Sequence, residues 1–505
     1  MSFPKGLLVL AMLAPVYASA QTPARSAAPK VGPPRGTVII VGGGSMGPEI
    51  YSAFIQAAGG PDALIIDVPT AGGAAEYVQD GPSTQGWKRA GAKNVYVLHT
   101  TDRKLADSDS FVAILKQAGG VWFGGGRHYR LVDSYAGTKT EQAFRDVLAR
   151  GGVVGGSSAG ASILGDVLVR GAPSNNNFIM YYPGYVKGFA YLRDTGIDQH
   201  VIARERLPDL ADSIVARFPN VLGISEDEGT AWVVKGDTGT IIGRSKGFVY
   251  GGKDNDEGKP FLTLLPGDRY DLAARRVIRR AVDDSPVKPA FIDSLFEKYN
   301  TASSMGATVL VASNGNVFID RSYGIAPQAK YMPTTTVPQF PLGSLQEVFT
   351  SICAQLPEQP AGRGGNAPTD SAVAAGRGGR GAGGNSTPLQ NCVSRRVAGA
   401  VGMQKTSATA AGEVLSNVDA LYRLALGLEN PTTFSRESKL DVAQGWKADT
   451  YRGTARLSAY GTAAGKRHAF VRIPEHRVTI IILTNDGGLD AKALADRITD
   501  RLLGR

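Results

Sequence analysis

Short apolar runs recur through the first half of the chain, each closing on glycine or polar residues. Thr37–Val41, Ala63–Val68, Asn94–Leu98, Val121–Phe123 and Val153–Gly155 read as strands. Helix-period patterns lie between them, near Gly47–Ala58, Phe111–Ala118 and Glu141–Ala149. Strands alternating with helices predict an α/β fold with a largely parallel sheet, whose ligand site lies beyond the carboxyl ends of the strands. After about residue 285 the pattern changes. Phe291–Asn300 is an amphipathic helix, and Thr308–Ala312 and Val317–Tyr323 flank Asn314-Gly315, a strong hairpin signal. Arg467–Ile473 and Val478–Thr484 read as antiparallel strands, followed by a helix over Leu489–Leu503. The chain therefore divides into an α/β unit over 36–285 and a smaller α+β unit over 290–505.

Composition adds an address. Lys5 starts residues 1–20, an apolar stretch runs from Gly6 to Val16, and Ala18-Ser19-Ala20 forms a small-residue cleavage site. The apolar stretch is shorter than the ~20 residues of a membrane span. These residues predict a cleaved signal peptide, a secreted or periplasmic protein and no stable membrane anchor. Residues 21–35 read as a flexible leader. The net charge of +10 on 505 residues is spread along the chain and is too mild to argue for a nucleic-acid partner. Two cysteines exclude a Cys-rich metal or iron–sulfur site. Cys353 and Cys392 flank a Gly-, Ala-, Arg- and Pro-rich insertion over 358–390 that has no apolar face to pack. In an oxidising compartment the two can close its base as a disulfide.

The chemistry centres on Gly156-Ser157-Ser158-Ala159-Gly160, which fits G-x-S-x-G after a strand. Small neighbours permit a sharp turn that lifts the Ser158 hydroxyl above the sheet. Ser157 is the rival nucleophile. The Ala159 amide, at a helix start, favours a developing oxyanion. Among five histidines, His200 stands out as the base, in the polar cluster Asp198-Gln199-His200. Glu226, Asp227 and Glu228 lie between two apolar strands, and one of them can orient the imidazole. A competing pattern is Gly42-Gly43-Gly44-Ser45-Met46-Gly47, with Asp67 further on, which fits a dinucleotide fingerprint.

Taken together, Gly42–Gly44, Phe123-Gly124-Gly125-Gly126, the serine elbow, Asp-Gln-His and the segment from Gly223 to Ala231 resemble the cyanophycinase family of serine peptidases, kin of the aspartyl dipeptidases. The resemblance implies a class I glutamine amidotransferase-like core and a triad of Ser158, His200 and Glu228. It implies an oxyanion hole from Ala159 with Gly125 or Gly126, and substrate contacts at Gln199, Arg204, Arg206 and Arg127. The implied reaction is hydrolysis of β-aspartyl-arginine linkages in a peptide or polymer substrate, with no metal or cofactor. Three positions depart from the family pattern: Arg127-His128 stands where Asp-Gln is expected, and Asp209 where a basic residue is expected.

The second unit resembles a shortened serine β-lactamase-like domain, through Leu342-Gly343-Ser344 and the terminal strands and helix. Glu347 stands where that family needs an activating lysine, so the unit reads as catalytically inactive. A same-fold peptidase acting on other small aspartyl peptides, a non-catalytic peptide-binding protein and a dinucleotide enzyme are the alternatives. Association as a homodimer is left open.

Overall fold

The computed structural model describes residues 30–174, 176–301, 306–324, 339–357, 387–403, 406–429, 433–434, 441 and 443–504. Residues 1–20, read as a signal peptide, and most of the stretches read as leader and insertion fall outside the described residues. Residues 30–32 do not behave as a flexible leader: their backbone N–H groups donate to the Asp237 carboxylate at 2.8–2.9 Å, and Val31 is buried. Residues 387–390, read as the end of the insertion, also have structure. Thr387 caps the short helix Pro388–Asn391 in a capping box with Gln390.

The strands of the first half are β1 (Thr37–Val41), β2 (Leu64–Val68), β3 (Asn94–Val97), β4 (Ala118–Phe123), β5 (Val153–Ser157), β6 (Thr195–Gln199), β7 (Leu222–Glu226), β8 (Thr230–Lys235), β9 (Thr238–Gly243), β10 (Gly247–Tyr250), β11 (Phe261–Leu264), β12 (Arg269–Asp271) and β13 (Arg276–Arg279). Nine form one sheet in the order β13-β12-β9-β8-β1-β5-β4-β2-β3. From β1 to β3 the pairing is parallel, whereas β8, β9, β12 and β13 extend the sheet antiparallel. A second sheet, β11-β10-β7-β6, stands beside it.

Along β1 the side chains alternate between two cores. Val38 and Ile40 join Phe123, Phe144 and Trp232, while Ile39 and Val41 join Phe54, Trp87 and Trp122. Both faces are covered, which is why the strand reads as an unbroken apolar run. The helix expected over Phe111–Ala118 is instead a helix at Asp109–Val112 and a 3-10 turn at Ala113–Gln117, and Ala118 already starts β4. Gly119-Gly120 favours a strand that lets neighbouring backbone approach over a continued helix.

The second half contains β14 (Ala307–Ser313), β15 (Asn316–Tyr323), the short strands β16 (Phe340–Pro341), β17 (Ser407–Ala408) and β18 (Val414–Ser416), then β19 (Lys447–Tyr451), β20 (Thr454–Ala463), β21 (Lys466–Ile473) and β22 (Val478–Thr484). Six of them form an antiparallel sheet, β15-β14-β22-β21-β20-β19, flanked by the terminal helix Ala491–Leu502. Its hairpin turns at Asn314-Gly315, both with positive φ.

Cys353 and Cys392 are joined in a disulfide across 39 positions. By loop-closure entropy a crosslink of that span stabilises by roughly 3–4 kcal/mol. A Cys353→Ser/Cys392→Ser variant should lose about that much in urea unfolding, and an unchanged midpoint would show that the crosslink contributes nothing. Among the described residues no base is hydrogen-bonded to Ser344. Its hydroxyl donates to the Tyr460 carbonyl at 3.2 Å and accepts the Thr462 N–H at 3.3 Å, tying the Gly343–Gln346 turn to β20. Ser344→Ala should leave peptide hydrolysis unchanged, checked by steady-state rates against wild type.

The two halves are packed together. Val317 N–H donates to the Pro266 carbonyl at 3.2 Å. Lys246 pairs with Asp320, with Asp419 4.0 Å away. Arg423 of the second half pairs with Asp227 of the first at 3.0 Å, both fully enclosed.

Candidate active site

Three chain crossings converge beyond the ends of β1 and β5. β5 runs into the turn that carries Ser158. β6, in the second sheet, ends at Gln199 and delivers His200. β7 ends at Glu226, and its connection to β8, which crosses from one sheet to the other, carries Asp227 and Glu228.

Ser158 sits at φ 57°, ψ −117°, a conformation that a non-glycine residue adopts only when its surroundings hold it. Its N–H donates to the Val41 carbonyl at 3.0 Å, and the short helix Ala159–Ser162 begins directly after it. His200 is also left-handed, at φ 56°, and its N–H donates to the Gly42 carbonyl at 3.0 Å. The side chains then meet. Ser158 Oγ donates to His200 Nε2 at 2.8 Å, and His200 Nδ1 donates to Glu228 Oε1 at 2.6 Å.

Burial lowers the pKa of His200, and its hydrogen bond to Glu228 only partly offsets this. Burial raises Glu228, but its bond to His200 together with the charges of His200, Arg423 and Arg204 leaves it below the usual carboxylate value. The resting pair is therefore a neutral imidazole on an ionised carboxylate, the state in which Nε2 can accept a proton.

The neighbouring acids have other tasks. Both Asp227 oxygens are occupied: Oδ1 accepts the Ile202 and Ala203 N–H groups, and Oδ2 accepts Ser245 Oγ and Arg423. Glu226 is fully enclosed with neither oxygen hydrogen-bonded, and burial, then Asp198 and Asp227, push its pKa well up. Glu228 alone of the three bonds His200.

The glycine-rich turn after β1 has a different role from the one its spacing suggests. A Cβ on Gly43 would overlap the His200 ring, and one on Gly44 would come within 2.7 Å of Glu228 Oε2. These glycines leave space for the His–Glu pair. Asp67, the acidic residue of the dinucleotide pattern, is only 2% exposed.

On the other side of Ser158, a Cβ on Gly125 would stand 3.4 Å from Ser158 Cβ and 3.9 Å from its Oγ, so this backbone lies alongside the hydroxyl. Gly126 follows with φ 140°, where a side chain would strike the Ala71 carbonyl. Ala159 is the first residue of its helix, so its N–H has no acceptor within that helix.

The four expected substrate contacts are placed unequally. Arg127 and Arg204 are partly exposed, and Arg127 donates to Asn177 Oδ1. Gln199 is 2% and Arg206 5% exposed, so neither offers much surface to a substrate. Gln199 Nε2 lies 3.4 Å from Ser162 Oγ and 3.5 Å from His128 Nε2. His128 is itself buried and held neutral, its pKa lowered to about 3 by burial and then by Arg170.

Arg170 was not apparent from sequence. It grips Asp198 through two hydrogen bonds of 2.8 Å and reaches Asp209 at 2.7 Å. Burial pushes Asp198 up, but Arg170, with Arg206 and the Gln199 N–H, more than compensates, so the carboxylate before Gln199-His200 stays ionised. Asp209 thus serves as an acidic partner where a base was expected. An arginine with no local partner, preceding a long polar loop, is the only signal the sequence held for it.

Residues 38–242 match the family model for peptidase family S51. A cyanophycinase from Synechococcus elongatus is 29% identical over 274 residues, covering 49% of this chain and 83% of that protein. Among solved structures, a peptidase from an acI-B1 Actinobacterium shares 24% identity over 47% of this chain and 97% of its own, with a TM-score of 0.38. The octameric penicillin-binding protein homologue from Pyrococcus abyssi shares 13% identity over 43% of this chain and 76% of its own, with a TM-score of 0.32.

Proposed function

We propose that this chain, a serine-type peptidase whose residues 38–242 match peptidase family S51, hydrolyses β-aspartyl linkages of the cyanophycin Asp-Arg type through Ser158, His200 and Glu228. The observation that carries this reading is the continuous hydrogen-bonded line from Ser158 Oγ through the imidazole to Glu228. Ser158 Oγ attacks the carbonyl carbon while Nε2 takes its proton. Glu228 stabilises the imidazolium and keeps its tautomer. The negative oxygen of the tetrahedral intermediate takes hydrogen bonds from the Ala159 N–H and one from Gly125 or Gly126. Collapse expels the amine, which receives the proton from Nε2. Water, deprotonated by the same nitrogen, then releases the acyl group and restores the serine.

Labelling of Ser158 by a serine-directed fluorophosphonate tests the nucleophile. Turnover of cyanophycin against a panel of β-aspartyl dipeptides tests the substrate. No labelling, or turnover of α-linked peptides alone, overturns the reading. A second reading, the same chemistry on other small aspartyl peptides, is favoured by Arg127 and Asp209, which stand where the family pattern expects other residues and are engaged with Asn177 and Arg170.

We also read residues 290–505 as an inactive β-lactamase-like unit, and the whole as exported after loss of residues 1–20. N-terminal sequencing of the protein recovered outside the cytoplasm tests the export.

The pH profile has a predicted direction. A protonated His200 cannot accept the serine proton, so activity is present above its pKa and lost as pH falls through it. Burial places that pKa below 6.5. The acid limb of kcat/KM should therefore have its midpoint below pH 6.5. A midpoint above that value would mean that His200 is not the titrating base.

A further inference from the structure

Where the two halves meet, a cavity of about 820 Å³ opens between the turn after β1 and the second half. Gly44, which packs against Glu228, and Ser157, the residue before the nucleophile, lie on its wall. Arg423, Leu426 and Phe434 of the second half close the other side. The volume is that of a small-molecule site.

Its polar feature is Arg244, from the connection between β9 and β10. This side chain belongs to a residue only 6% exposed, and its Nε has no hydrogen-bond partner. One Nη donates to the Ser45 carbonyl. Among the described residues Arg244 joins no ion pair. The nearby acids are otherwise engaged or unbonded: Asp227 is saturated by Arg423, Ser245 and two amides, and Glu228 accepts from His200. Glu49, also on the cavity wall, has one oxygen without a partner, and burial raises its pKa. Burial, and then the like charge of Arg423, pull the pKa of Arg244 down to about 10.

The position is built from both halves. A Cβ on Gly229 would come within 2.7 Å of Arg244 Nη2, and one on Gly402 within 2.6 Å. Gly402 belongs to the second half, has φ +65°, and its carbonyl accepts Arg423. A guanidinium is thus seated between two glycines, one from each half, on the wall of the cavity, with its Nε against Gly229 and without a hydrogen-bond partner. Taking a cation out of water costs free energy unless an anion pairs with it, and a planar guanidinium pairs best with a carboxylate.

We propose that Arg244 and the second-half wall form a subsite that takes a carboxylate of the substrate beside the triad. This gives the second half a role in substrate selection, and it rests on the peptidase reading above. The class of ligand is an acidic peptide bearing a free carboxylate.

Succinate, a small dicarboxylate, and succinamide, its neutral counterpart, are suitable probes for the full-length protein. Two readouts are taken: the Tm at increasing probe concentration, and the rate of fluorophosphonate labelling at Ser158 with probe divided by the rate without it. Succinate should raise Tm and slow labelling in wild type, and succinamide should do neither. Arg244→Gln should weaken the apparent succinate affinity by about 10- to 100-fold, the range of a charge-assisted hydrogen bond. Arg244→Lys should retain part of it. Leu426→Trp, at a partly exposed position on the wall, should fill the cavity and abolish the response without removing any charge. Equal succinate responses in wild type, Arg244→Gln and Leu426→Trp would overturn the proposal, as would equal responses to the two probes. Absence of labelling in wild type overturns the peptidase reading alone, since the Tm series still decides the subsite.

Discussion

Ser158→Ala should reduce kcat by roughly 10⁴-fold or more, the scale seen when a triad nucleophile is removed. The hydroxyl makes one recorded hydrogen bond, to His200, so its loss removes the attacking atom and little else. The turn itself is held by backbone: the Ser158 N–H reaches Val41, and the Ala161 and Ser162 N–H groups reach the Ser158 carbonyl. None of these involves the side chain. Stability should change by no more than about 1 kcal/mol, as expected away from cavity or charge defects. Single-turnover rates and urea unfolding of the same preparation separate the two effects. Should Ser157→Ala be the inactive variant and Ser158→Ala the active one, the nucleophile is Ser157. His200→Ala should be nearly as damaging, because nucleophile and base act as one unit.

Gly43→Ala should be the most damaging substitution outside the triad. The added methyl would occupy the space of the His200 imidazole, and the backbone there has φ +96°, which alanine adopts only with strain. The ring cannot stay where it is. It is fixed from both sides, by Ser158 Oγ and Glu228 Oε1, so any displacement lengthens at least one of those bonds. Misplacement of a catalytic group by about 1 Å costs on the order of 10²-fold in rate. The loss should appear in kcat, with slower fluorophosphonate labelling, since both depend on activation of the serine. A Gly43→Ala enzyme with wild-type kcat would show that the turn moves freely and that the glycine is not needed for the ring.

Much of this arrangement was legible in the residues. β1, β2, β4 and β5 announce themselves because each is buried on both faces, and burial of that kind leaves apolar runs, whereas β3, at the sheet edge, is mostly exposed. The elbow was legible because its geometry demands small residues around Ser158. What escaped was the extension of the sheet by β8, β9, β12 and β13. β9 alternates buried and half-buried positions, and β13 is mostly exposed, so neither carries a long apolar signature. The division into two sheets escaped for a related reason. β7 and β8 look alike in sequence, and nothing local says that the chain changes sheets at Asp227. That crossing is also what places Glu228 at His200. The role of Gly43 was hidden because glycine spacing records only that something comes close, and here it is an imidazole rather than a phosphate. Arg244 and Arg423 were invisible, since their meaning depends on contacts made across the two halves.

The Arg423–Asp227 pair bears on how the two halves are inherited. Asp227 lies one position before Glu228 and is wholly enclosed, so its charge is tolerated only while its four partners remain. Removing one member of such a pair costs roughly 3–5 kcal/mol, a large part of the stability of a domain. A change at Arg423 is therefore felt one position from Glu228, so the two halves are constrained to vary together at this contact.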